Sequence, residues 1–422
     1  MNIYVCIKVI KSRIQFYMIN KKIVFLNATF EDNAHEIIDT SIIYCASNIY
    51  EEVKVRFLND RSQIIENEIA DNFSCNNIYF RPFHNIKKKV NGFSGLGNNI
   101  ISRTINKLRI VLREIISFMQ ELFEYISYKN RNSIFCLTYI NRYNCYVLNF
   151  ACKVFKRPLY IFCHSEIEDI VLKKNEIKSN YVRLQYKFLT EAKIAKDARL
   201  VVLGNSILEN ISKYLDKERL KYFLSVDHPY YNTYKGNNIA SINNKKNINI
   251  GVIGNLTHSN NRGFYNVLAL ANKLKDVSKI TVNILGKVDK VSFEKLDGLV
   301  KFYNKSGLLI PREDYDKNIS DMDYIYIPYP VDSFKFTASG SLLEAICKLK
   351  PVLYHRNCYA SYIISKFGDF GIDVDAHDTK ELINLLTDSE NYSVLLRKQK
   401  TVADKIHPHS LINQYIKLFN QI

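Results

Sequence analysis

The sequence contains no C-x-x-C pair. Its nine cysteines are scattered from Cys6 to Cys358, which gives neither zinc-ligand spacing nor a disulfide framework and fits a reducing cytosol. It also lacks any run of about 18 uncharged apolar residues. The opening MNIYVCIKVIKSRIQF is broken by Lys8, Lys11 and Arg13 before a signal-peptide core forms, so a chain that is neither spanning nor exported is expected. Low-complexity tracts are absent, and 47% hydrophobic with 24% charged residues is the composition of an ordinary globular protein, which argues against disorder. Finally, no acid occurs between Asp71 and Glu114, whereas Arg81, Lys87, Lys88, Lys89, Arg103, Lys107, Arg109 and Arg113 all do. Within a formal charge of +17, that stretch suits a polyanion: nucleic acid, anionic lipid or a lipid-linked phosphate.

What is present is strand and helix in alternation. At 422 residues the chain exceeds the size at which one core stops growing, so two domains are expected. KKIVFLNATF (21–30), SIFCLTYI (133–140), PLYIFCHS (158–165) and ARLVVLGNS (198–206) are short apolar runs ending in polar loops, the pattern of buried parallel strands. Helical segments are predicted near 103–126, 141–155 and 181–196 between them. The pattern restarts after a polar, Asn-rich stretch, with strands at 248–256, 280–288, 300–307, 323–330 and 350–355. The expected division is a domain 1–235, a linker 236–247, a second domain 248–404 and a closing helix 405–422. The expected fold class is α/β, two Rossmann-like doubly wound domains facing a cleft. Residues before Met18 are expected to be peripheral, because MINKKIVFLN already reads as a start followed by the first strand.

In KFTASGSLLEAICKLKPVLY (335–354), Ser339, Gly340 and Ser341 precede an apolar helical pattern carrying Glu344. A helix starting there offers unpaired backbone N–H groups and a positive dipole end, and Gly340 admits a ligand close to the backbone. That describes a phosphate seat. Glu344, still near the helix start, has the chemistry to accept hydrogen bonds from a ribose diol, and phosphate with ribose means a nucleotide. The plainer alternative is a capping box, of which S-L-L-E is a literal match.

The order of elements around this motif resembles the donor-binding domain of GT-B glycosyltransferases, which move sugars from nucleotide-sugars. GVIGNL resembles the first strand and its glycine loop, NRGFYNVLALANKL the following helix, ITVNILGKV the second strand and SGSLLEAICKLKPVLY the sugar-nucleotide motif. The resemblance implies that Gly254 and Asn255 lie beneath the diphosphate, that Arg262 pairs with its charge, that Ser339, Gly340, Ser341 and Leu342 meet the phosphates, and that Glu344 takes the ribose. It implies no cofactor and no metal, since the nucleotide-sugar is a substrate. Two positions depart from the family pattern: Phe336 stands where many retaining members carry a second glutamate, and Lys350 where glycine usually precedes Pro351.

On the N-terminal side, YIFCHSEIEDI puts His164 at a strand end, with Glu166 and Glu168 in the same loop, so an imidazole and a carboxylate are candidates for work on an acceptor hydroxyl. A helix-start region with a structural histidine is the alternative. In the first loop, Asp32 and His35 are further candidates for acceptor binding or the base, and capping by Asp32 explains the pattern too. His228 reads as structural. The helix RTINKLRIVLREIISFMQELFEYI carries an apolar stripe expected to pack on the sheet, with its basic residues touching lipid headgroups. The resulting expectation is a cytoplasmic glycosyltransferase, peripheral on the inner face of the cell membrane. Its partners would be a nucleotide-sugar donor, a lipid-linked or surface-polysaccharide acceptor, and an anionic membrane surface met through residues 81–113. A nucleotide-sugar epimerase of the same fold is the runner-up. A nucleic-acid binder is suggested by charge alone, and no nucleic acid is expected as partner because the aromatics are not grouped on a basic ribbon.

Overall fold

The computed structural model describes residues 22–29, 35–84, 100–128, 133–141, 143–171, 179–231, 242, 247–254, 256–258, 263–303 and 311–422. Two compact units result: Met1–Pro229 together with Leu411–Ile422, and Tyr230–Ser410. The stretch 405–422, expected as one closing helix, is thus shared between them.

Unit 1 contains strands β1 (Lys22–Asn27), β2 (Glu52–Phe57), β3 (Ile78–Phe80), β4 (Ile134–Leu137), β5 (Leu159–Phe162), β6 (Ala198–Val202) and β7 (Phe223–Ser225). They form one sheet in the order β3-β2-β1-β4-β5-β6-β7, parallel throughout. The central strands are apolar on both sides because helices cover both faces: Ile23 to Leu26 and Leu159 to Phe162 are wholly buried. The helices are α1 (Glu36–Ser47), α2 (Asn59–Asn72), α3 (Ile100–Ser127), α4 (Asn144–Phe155), α5 (Asn180–Thr190), α6 (Asn205–Ile211) and α7 (Lys217–Leu220). The sheet direction reverses between β1 and β4, and such a switch point, at the carboxyl ends of the strands, is where doubly wound sheets hold ligands.

The helix α3 overturns one expectation. Its apolar stripe faces outward: Leu108, Leu112, Ile115, Met119, Phe123 and Ile126 are all exposed. The inward face is the polar one. There the Ser117 hydroxyl donates to the Ala28 carbonyl at 2.6 Å, Glu121 accepts from the Ala28 N–H at 2.8 Å, and Glu124 pairs with Lys54 at 2.6 Å and Arg56 at 3.0 Å. These bonds fix the rotation of the helix, because a buried charged or polar group without a partner costs more than an apolar group left in water.

Unit 2 contains β8 (Ile248–Val252), β9 (Ile280–Ile284), β10 (Lys301–Phe302), β11 (Tyr324–Ile327), β12 (Val352–Tyr354) and β13 (Gly371–Asp373). They too are parallel and run β10-β9-β8-β11-β12-β13, the same winding with its switch point between β8 and β11. The helices are α8 (Phe264–Leu274), α9 (Lys290–Leu296), α10 (Arg312–Ser320), α11 (Gly340–Cys347), α12 (Cys358–Phe367), α13 (Thr379–Thr387) and α14 (Ser389–Ile406). A last helix, α15 (Pro408–Phe419), returns to unit 1, where Leu411, Tyr415, Leu418 and Phe419 are buried. There the Tyr160 hydroxyl donates to the Leu418 carbonyl at 3.0 Å. Among the described residues, no helix is long and apolar enough to cross a membrane.

Candidate functional site

In unit 2 the helix α11 begins at Gly340, one residue after its cap. Ser339 is the N-cap, in extended conformation, and its hydroxyl accepts from the Leu342 N–H at 3.3 Å. Its Oγ also lies 3.4 Å from that of Ser341. Three residues past this cap stands Leu342, not an acid, so the capping box read from S-L-L-E does not form. Among the described residues nothing lies within 4 Å of the place where a Cβ on Gly340 would sit, and Gly340 is exposed. The next turn carries Glu344, buried and held from α10: Arg312 Nη2 lies 2.8 Å from its Oε1, and the Tyr315 hydroxyl is 3.4 Å from its Oε2. Arg312 also pairs with Asp316 at 3.3 Å, which in turn meets the buried Lys348 at 3.0 Å. Burial lowers the pKa of Lys348, and the Asp316 charge opposes that shift.

The glycine loop after β8 is tight. Gly254 has φ 90°, and a Cβ there would come within 2.3 Å of the Tyr329 hydroxyl. The Tyr329 ring packs edge-on against Phe334 at 4.9 Å, in the segment leading to α11. Phe334 itself has φ 58°, a left-handed conformation unusual for a bulky residue and found where the surrounding structure over-determines the backbone. Asn255 and Arg262, expected beside Gly254, lie outside the described residues. Phe336 is buried, so no carboxylate stands at that departure from the family pattern. At the other, Lys350 donates to the Ser320 carbonyl at 2.9 Å, tying α11's end to α10.

In unit 1 two predicted residues from separate loops meet: the rings of His35 and His164 are 4.6 Å apart. His35 caps α1 with φ 63°. His164 follows β5 and is 3.1 Å through Nε2 from the Thr138 carbonyl. A carbonyl only accepts, so Nε2 carries the proton and Nδ1 keeps the lone pair. Burial, then the charges of His35 and His228, hold the His164 pKa well below the usual imidazole range, so the ring is neutral at neutral pH. His228 belongs to the same cluster; burial pushes its pKa down to about 4. Glu166 is buried in the 3-10 turn Ser165–Val171, within electrostatic reach of Cys145 and Cys163. Glu168, on that turn, is exposed. Asp32 lies outside the described residues.

Several polar residues at this edge were not visible from motif reading. Asn27, ending β1, donates to Thr138 Oγ1 at 3.1 Å. The fully buried pair Asp39–Arg61 joins α1 to α2 at 2.9 Å. Beneath Ala28 sits Glu121, fully buried, whose pKa is pushed up to about 7 chiefly by burial. Hydrogen bonds from the Ala28 N–H and the Asn144 side chain oppose that shift. The apolar period around Glu121 marks it as helical, but nothing local tells that it points inward.

Two parallel sheets of this winding, one per unit, define the GT-B fold. The solved structure of HepE from Anabaena, in complex with UDP and glucose, matches 96% of this chain and 100% of its own at 12% identity and a TM-score of 0.61. WaaG, a glycosyltransferase involved in lipopolysaccharide biosynthesis, matches 96% of this chain and 100% of its own at 13% identity and a TM-score of 0.54. Sucrose-phosphate synthase from Thermosynechococcus elongatus matches 95% of this chain and 99% of its own at 11% identity and a TM-score of 0.58. No family model matches the sequence, and no curated protein matches it. Fold is what these likenesses establish.

Proposed function

We propose that the chain is a glycosyltransferase taking its sugar from a nucleotide-sugar seated on unit 2. The observation carrying this reading is the start of α11, with an exposed Gly340 and a carboxylate one turn in, oriented by Arg312 and Tyr315. Backbone N–H groups at a helix start stabilise phosphate, and the negative charge on the leaving nucleoside diphosphate grows as the sugar bond breaks, so the same groups favour departure. Glu344 accepts from the ribose diol, and the loop at Gly254, whose side-chain space is taken by the Tyr329 hydroxyl, is proposed to lie beneath the diphosphate.

On unit 1, His164 is the proposed base. Its Nδ1 takes the proton from an acceptor hydroxyl while that oxygen attacks the anomeric carbon and the nucleoside diphosphate leaves. A ring kept neutral by its surroundings has a free lone pair for this step. His35, which packs on that ring, is proposed to position it. The acceptor is proposed to be lipid-linked or a surface polysaccharide, a reading favoured by the part WaaG plays in lipopolysaccharide biosynthesis. UDP-sugars head the list of donors to test, because HepE holds UDP and glucose.

A ligand bound only by the folded state raises the melting temperature, so a thermal-shift panel of UDP- and GDP-sugars is the direct test, with a rise expected for at least one. Glu344→Ala should then weaken that ligand by about 1–3 kcal/mol, as expected on removing one partner of charge-assisted hydrogen bonds, measured by titration calorimetry on folded protein. No shift with any nucleotide-sugar, or equal affinity in the variant, sinks the assignment.

A further inference from the structure

Three adjacent strands of unit 1, β1, β4 and β5, bring Asn27, Thr138 and His164 together at their carboxyl ends, and Thr138 is the residue the other two share. It follows Leu137, the last paired residue of β4, and is buried. Its N–H carries the ladder one step further, donating to the Leu26 carbonyl at 3.2 Å. Its hydroxyl accepts from Asn27 Nδ2 at 3.1 Å and reaches the Asp39 carboxylate, itself held by the buried Arg61 at 2.9 Å. Its carbonyl accepts from His164 Nε2 at 3.1 Å. Valine would fill the same space at the end of the apolar run IFCL, so what threonine adds is the hydroxyl.

We infer that Thr138 is a positioning residue for sugar transfer: its hydroxyl, pinned between Asn27 and Asp39, aims its carbonyl at His164 Nε2 and so presents Nδ1 to the acceptor. The inference rests on His164 being the base proposed above. A β-branched residue has few χ1 states, and hydrogen bonds on both its hydroxyl and its N–H leave little room to turn the peptide that follows. A ring tied through one N–H to a fixed carbonyl keeps its tautomer and its tilt. Asp39 stands behind both histidines, since its N–H donates to the His35 carbonyl at 3.1 Å and the His35 ring packs on that of His164. Support is thus drawn from β1, α1 and α2 as well as from the loop after β4. Such placement matters because a shift of about 1 Å near a reacting group can cost about 10²-fold in rate.

The test reads the histidine directly. In the full chain carrying isotope-labelled histidine, the His164 Nε2–H proton is followed by NMR, assigned by its loss in His164→Ala, and its exchange with water is timed. Buried and bonded, it should exchange slowly in the parent. Thr138→Val should speed that exchange at least about tenfold and lower kcat by about 10–100-fold at unchanged donor Kd. Thr138→Ser restores a hydroxyl and should return both toward the parent. Asn27→Ala removes the donor to that hydroxyl from the other side, so it should act in the same direction as the valine variant and takes its place if valine prevents folding. A merely structural threonine would lower the melting temperature of the valine variant while leaving proton exchange and kcat of its folded fraction at parent values, and that result overturns the inference. Failure of the underlying reading looks different. Folded His164→Ala would then turn over like the parent, while the exchange measurement, which contains no sugar, still reports whether Thr138 holds the ring.

Discussion

At the scale of single residues, the two histidines from distant loops are the informative pair. His164 has one nitrogen committed to the Thr138 carbonyl and a ring held neutral chiefly by burial, so its other nitrogen is the group available for proton transfer. His164→Ala should therefore lower turnover by about 10²–10⁴-fold while leaving nucleotide-sugar affinity nearly unchanged, with kcat and donor Kd measured separately. If the variant melts earlier but its folded fraction turns over normally, the residue is structural. The sequence marked His164 and His35 separately, His164 at the end of an apolar strand and His35 in the polar loop after the first strand. It could not show that they touch, since contact between residues 129 positions apart follows from strand order rather than spacing. For Glu344 the sequence left two readings, and the cap at Ser339 decides against the box because the register is set by where the helix starts.

Among the elements, strands with unbroken apolar runs were legible and the charged or very short ones were not. EVKVRF (β2) alternates, and its polar face is satisfied by Lys22 and by Glu124 on α3, partners the local sequence does not reveal. The strands β3, β7 and β13 have three residues each, too few for a period; β10 and β12 are no longer and were read from their place in the alternation of strand and helix. The periodicity of α3 was read correctly and its rotation was not, because a helical stripe tells which residues share a face but not which face is packed. The decisive bond, Glu121 to Ala28, links residues far apart in sequence. That bond has a pH signature. The usual pKa of a glutamate, 4.5, rises to about 7 in the fold; between these values the unfolded chain releases a proton that the fold retains, so stability falls as pH rises through the window. The full span is worth about 3 kcal/mol, at 1.36 kcal/mol per pH unit. Glu121→Gln keeps an acceptor for the Ala28 N–H and removes the charge. Its melting temperature relative to the parent should thus be higher at pH 8 than at pH 4.5, and an unchanged difference would show that the carboxyl does not titrate there.

At the scale of the whole molecule, the sequence was sufficient for two doubly wound sheets, but not for the return of α15 to unit 1. An apolar helical pattern at 408–419 says that something buries it; its seat is made by Tyr50 and Tyr160, whose rings lie 5.8 and 5.2 Å from that of Phe419, and by Asp227, which accepts from Gln414 at 2.7 Å. Deleting residues 411–422 removes four buried apolar side chains at about 1.5–3 kcal/mol each, so unit 1 should melt far earlier or not fold. Limited proteolysis mapped by mass spectrometry should find its new cleavages within 22–229; cleavage confined to 230–410 would contradict this. The same arrangement sets an order of events during synthesis. Unit 1 is emitted first, yet the helix that covers Tyr50 and Tyr160 follows roughly 180 residues later, on the order of 10–40 s at about 5–20 residues per second. Through that interval unit 2 is translated entire while its predecessor waits with an apolar seat bare, which makes the nascent first half a natural client for a chaperone that holds rather than folds.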